Sequence, residues 1–130
     1  MIHHLTFDVQ KHLLVKEIEF WSCLGWNPTG LRRRTRKQPP INWLVCGGEK
    51  TAIELIAVDA AMIQGVGHTC IELGQRRYEI TTQMLARFQH EFQPHHSWKE
   101  HGFALSPTGH TIEIAANLQG PKAGPPLEEA

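Results

Sequence analysis

The chain has 130 residues, with 13 Lys+Arg against 13 Asp+Glu, a balance that gives no global pull towards nucleic acid or an anionic membrane. Cys23, Cys46 and Cys70 form no CxxC pair and leave one thiol unmatched, which argues against a disulfide scaffold and for a reducing, cytoplasmic compartment. No stretch approaches the roughly 18 apolar residues of a membrane span, and Met-Ile-His-His enters a strand pattern without a signal-peptide h-region, so the expectation is a soluble protein with no membrane partner.

In residues 2–9, Leu5, Phe7 and Val9 alternate with His4, Thr6 and Asp8, the period-two pattern of a strand with one face in a core. His4 then points away from that core, whereas His3 has the parity of Leu5 and Phe7. From Lys11 to Leu24 the apolar residues Leu13, Leu14, Ile18, Phe20, Trp21 and Leu24 take helical spacing, and Gly25 is a helix stop. Strands are expected over Trp26–Lys37, Ile41–Cys46 and Thr51–Val58, broken by Pro39-Pro40 and Gly47-Gly48. The second half repeats this order, with a strand over Gly67–Leu73 and a helix over Tyr78–Phe92 that places Ile80, Met84, Leu85, Phe88 and Phe92 on one face. Strand-like pieces follow at Trp98–Leu105 and His110–Ala115, and the hairpin around Pro94-His95-His96-Ser97 hides a strand that the pattern does not place. The fold class is α+β: two βαβββ modules, residues 1–60 and 66–116, in one domain with a mobile tail over 117–130 rich in Pro and Gly.

The halves also repeat their chemistry. His4 in His-Leu-Thr-Phe-Asp-Val precedes Glu54 in Ala-Ile-Glu-Leu-Ile, and His68 in His-Thr-Cys-Ile-Glu-Leu precedes Glu113 in Thr-Ile-Glu-Ile-Ala, each about sixty residues after its counterpart. Two imidazoles and two carboxylates suit a borderline divalent cation such as Zn, Ni, Co, Mn or Fe(II). A lone histidine at a strand start is usually a surface residue, but the duplication raises the metal reading for His4, Glu54, His68 and Glu113. A carboxylate flanked by apolar strand residues is costly unless it faces solvent, a partner or an ion.

These segments, together with Glu-Phe-Trp-Ser-Cys-Leu-Gly-Trp and Ser-Pro-Thr-Gly-His-Thr-Ile-Glu-Ile, resemble the vicinal oxygen chelate superfamily over residues 2–116. That superfamily includes glyoxalase I, fosfomycin-resistance thiol transferases, extradiol dioxygenases and metal-free bleomycin-binding proteins. Ser106 and Thr108 stand where the family usually has the two acids of Asp-Pro-Asp-Gly, a departure in a hairpin turn rather than in the ligands. The resemblance implies sheets curved around a cleft, a four-ligand glyoxalase-type site, and lyase or isomerase chemistry in which the ion stabilises an enediolate. It also implies that Glu113, or failing that Glu54, is the base acting on a small-molecule substrate. Dioxygenases and thiol transferases of the family lack the carboxylate at the Glu54 position. His4-Leu5-Thr6 and Trp98-Lys99 match the fosfomycin group only in part, because the loop from Lys99 to Ser106 lacks that group's cation-binding run.

The competing class is a non-catalytic, bleomycin-resistance-like binding protein. Each half carries one His and one Glu, so a four-ligand site must join two modules, and the expected assembly is a homodimer with two equivalent sites. The run Arg32, Arg33, Arg34, Arg36 and Lys37 reads first as a charged edge strand and second as an anion site. Cys70, on the face of His68, reads as apolar packing. Trp21, Trp26, Trp43 and Trp98 read as core or cleft wall, and His90, His95, His96, His101 and His110 as surface residues.

Overall fold

The computed structural model describes residues 2–33, 35–37, 39–63 and 67–118. Arg34 of the basic run and residues 119–130 of the tail lie outside them.

Strand β1 (His4–Gln10) leads through a 3-10 turn (Lys11–Leu13) into helix α1 (Leu14–Leu24). The helix stops at Gly25, whose φ of 107° is a left-handed conformation that an L side chain adopts only with strain. Strands β2 (Asn27–Arg32), β3 (Ile41–Val45) and β4 (Ala52–Val58) complete the first module. The second comprises β5 (Thr69–Glu72), α2 (Gln75–Arg87), β6 (Glu91–Pro94), β7 (His101–Leu105) and β8 (Thr111–Ala115). The sheets have equivalent orders, β1-β4-β3-β2 and β5-β8-β7-β6, and in each the first and fourth strands of the module pair parallel while the other pairs are antiparallel. This is the two-module βαβββ architecture that the sequence pattern predicts.

A single core joins the modules. Phe7, Val9, Ile53 and Leu55 from the first sheet, Ile112 and Ile114 from the second, and Phe20, Trp21, Leu24, Tyr78 and Leu85 from the helices all belong to it. Apolar burial of this kind contributes roughly 1.5–3 kcal/mol per large side chain and holds the sheets against the helices. Thr81, fully buried between the helices, satisfies its hydroxyl by donating to the Cys23 carbonyl at 2.9 Å.

The second helix differs from its expected extent and face. It ends at Arg87, and its buried residues are Tyr78, Thr81 and Leu85, while Ile80 and Phe88 are exposed. Gln89 turns the chain at a φ of 60°, and Phe92 lies in β6, the missing strand. Periodicity overlooks this strand because Glu91-Phe92-Gln93-Pro94 has one core residue and a proline, tolerable at a sheet edge. An added Cβ at Gly102 of β7 would lie 2.4 Å from the Phe92 ring, so the glycine makes room for that edge strand.

The altered turn between β7 and β8 also has a physical account. Glu17, fully buried on α1, accepts hydrogen bonds from the Ser106 hydroxyl at 2.7 Å and the Thr108 backbone N–H at 2.6 Å. A carboxylate from the other module thus does for this turn what its own acids would otherwise do. His110 extends the clamp, with Nε2 2.6 Å from the Asp8 carbonyl. No helix among the described residues is long and apolar enough to cross a membrane.

Candidate metal centre

Strand alternation sends Phe7, Val9, Ile53, Leu55, Ile112 and Ile114 to the helices and leaves the other face of each sheet open. On the first open face, His4 Nε2 lies 2.8 Å from Glu54 Oε1, and the Thr6 hydroxyl is 3.4 Å from the same oxygen. On the second, His68 Nε2 lies 2.8 Å from Glu113 Oε1. The registers coincide. Thr6 pairs with Glu54 and Cys70 with Glu113, each two residues beyond its histidine, while Trp43 and Phe103 pair with the two glutamates from the far side. The His4 ring is 5.8 Å from Trp43 and the His68 ring 5.5 Å from Phe103.

The imidazole side chains are 37 % and 40 % exposed over carboxylates that are only 4 % and 11 % exposed. An incoming ligand therefore meets the nitrogens first, with the acid oxygens beneath them. Nitrogen and oxygen donors in this arrangement fit half of a divalent-metal site on each sheet. Within one chain no group of three or more His, Cys, Asp and Glu among the described residues is placed to hold an ion.

The two halves are not identical. The residue pairing two positions beyond the glutamate is Ile41 on the first sheet and His101 on the second. His101 is fully buried, with Nδ1 2.8 Å from Glu113 Oε2. Burial holds its pKa below the ordinary imidazole value, against the opposing pull of Glu113. Cys70 is exposed as a residue, yet local desolvation pushes its thiol up to about 11, with the Glu113 charge adding to the effect, so the thiol beside this half site is protonated at neutral pH.

Several expectations are corrected. His101 and His110 are buried, and His90 is nearly so with Nε2 3.1 Å from Glu19, so none of these three is a surface residue. His95 is half-buried and His96 exposed. Their rings stack at 4.9 Å, and the His95 ring lies 5.5 Å from Trp98 and 5.9 Å from Phe103, which builds an aromatic shelf leading to Glu113. Strand parity places His4 correctly but fails for His3, which precedes the strand: its Nδ1 lies 2.8 Å from His4 Nδ1, and its ring is 5.9 Å from Trp43. His101 carried a readable signal, because it shares the parity of Phe103, opposite Glu113. Trp43 and Trp98 lie beside the half sites, whereas Trp21 and Trp26 are core. The basic run leaves β2 at Arg32, whose guanidinium stacks 4.8 Å over Trp43, and β2 is a sheet edge.

No protein-family model and no curated protein sequence matches the chain. Solved structures do. The genomically encoded fosfomycin resistance protein FosX from Listeria monocytogenes, a mutant complexed with Mn(II) and 1S,2S-dihydroxypropylphosphonic acid, superposes with a TM-score of 0.68 at 14 % identity, covering 94 % of this chain and 96 % of that one. The chain has the vicinal oxygen chelate fold. A trypanothione-dependent glyoxalase I from Leishmania major shares this fold at a TM-score of 0.65 and 14 % identity, with 88 % and 85 % of the chains covered. TnmS3, an antibiotic-binding protein from Streptomyces, does so at 0.65 and 9 % identity, covering 88 % and 93 %.

Proposed function

We propose that this vicinal oxygen chelate protein is a divalent-metal-dependent lyase or isomerase of the glyoxalase type, active as a homodimer on a small oxygenated substrate. The observation that carries this reading is the recurrence of one His–Glu pair, with one flanking aromatic, at the same register on both open faces. His4 and Glu54 of one chain and His68 and Glu113 of the other would hold the ion, because a second chain can bring to each half the complement that its own chain keeps away. The ion would supply Lewis acidity to two adjacent substrate oxygens.

The chain's own residues do the rest. Glu113, or Glu54, takes a proton from the carbon next to those oxygens, as a carboxylate within hydrogen-bond reach of substrate can do. Trp43 and Phe103 flank the site and favour a substrate with a flat or apolar portion. A groove of about 510 Å³ lined by Gln93, Phe103, Leu105 and Thr111 runs from it along the second sheet. Three free cysteines suit a cytoplasmic setting.

The aromatic shelf of His95, His96 and Trp98 favours one competing reading, a metal-free protein that sequesters an aromatic ligand. Elemental analysis of protein purified without a histidine tag, paired with light scattering, separates the two. About one tightly held ion per chain in a dimer is expected for the four-ligand site. A protein that takes up no Zn²⁺, Ni²⁺, Co²⁺ or Mn²⁺ on titration contradicts it and leaves the binder.

A further inference from the structure

The asymmetry between the half sites assigns a role to a residue outside the four ligands. Glu113 Oε1 faces His68, while Oε2 faces the fully buried His101 at 2.8 Å. The equivalent position of the first module holds Ile41, which fills its place in the fold with hydrocarbon alone. Among the described residues Nδ1 of His101 meets Glu113 Oε2 alone, and Nε2 makes no hydrogen bond. A buried imidazole left so is destabilising, and packing alone would be better served by an isoleucine, as the first module demonstrates.

We infer that His101 is a positioning residue for Glu113: it holds Oε2 so that Oε1 is presented, with His68, to the ion. This rests on the metal reading of the site. The contact is already close without the ion, and its alignment is expected to improve when charge arrives at Oε1, because the partners of a ligating carboxylate fix its orientation. Its benefit is metal affinity and its cost is stability, an opposition that a purely structural histidine would not produce.

His101→Ile copies the first module's own solution and keeps the site filled, so it is the variant least apt to disturb folding. Zn²⁺ and Mn²⁺ affinities of the dimer, measured by competition titration, are expected to fall roughly 10–100-fold, while the metal-free protein melts at the same temperature or higher. His101→Gln, which restores a polar contact to Oε2, is expected to recover part of the loss. A thermal double-mutant cycle of His101→Ile with Glu113→Gln on metal-free protein needs no ion and is expected to be non-additive. Unchanged metal affinity in His101→Ile, or an additive cycle, overturns the positioning role while leaving the metal centre standing. A wild-type protein that binds neither ion overturns the metal centre itself, and this role with it.

Discussion

His4 and His68 reach solvent above buried glutamates, and replacing either by alanine removes one nitrogen from the proposed four-donor set. Metal affinity is expected to fall roughly a hundredfold or more in His4→Ala and His68→Ala, beyond the effect typical of an outer partner. His3→Ala is expected to cost about tenfold, since the His3 ring touches His4 and helps to set which of its nitrogens is free. Titration with Zn²⁺ checks the ranking, and equal losses for His3 and His4 would remove the distinction between partner and ligand. The four proposed ligands were legible because each repeats in both halves. His101 had only its strand parity with Phe103 to mark it, since its counterpart is Ile41 and no repeat reinforces the signal. Cys70 offers a test of the electrostatics at the same scale. With its pKa raised to about 11 by burial and then by Glu113, its alkylation in metal-free protein should stay slow at pH 8 and keep accelerating above pH 9, following the thiolate fraction. Glu113→Gln removes the second cause, so alkylation of Cys70 at pH 8 should quicken; an unchanged rate would mean that desolvation and Glu72, rather than Glu113, set this thiol.

Among the elements, those with a clean period were readable and those at edges were not. β1 and β8 alternate apolar and polar residues because one face meets the helices, β4 is an apolar run broken by Glu54, and α1 ends where Gly25 permits a left-handed turn. β6 escaped because an edge strand needs little apolar content, and Phe92 was absorbed into the helix pattern that precedes it. The clamp from α1 to the β7–β8 turn was equally hidden, since nothing in Ser-Pro-Thr-Gly names a carboxylate 91 residues away. Glu17→Ala leaves the Ser106 hydroxyl and the Thr108 N–H without their acceptor in a buried place, and should lower stability by roughly 2–4 kcal/mol. Urea unfolding checks this, and a loss below about 0.5 kcal/mol would show that the turn holds itself. Because the shared core still joins the modules when the clamp is gone, the same variant should lose its two halves in one transition rather than two.

At the scale of the molecule, two sheets of equivalent order each carry one His–Glu pair, and among the described residues one chain does not gather the pairs into a group that could hold an ion. The duplication was visible in sequence, but the separation was not, because it depends on how the modules pack. The measurement that tests the central claim most directly is the metal content of a mixed dimer made from His4→Ala and Glu113→Ala chains. When ligands come from both chains, one site of the mixed dimer collects both defects and the other collects none, so about one tightly bound ion per two chains is expected. Neither variant alone should hold an ion tightly. A purified mixed dimer that binds no more metal than the parent variants would contradict a site shared between chains.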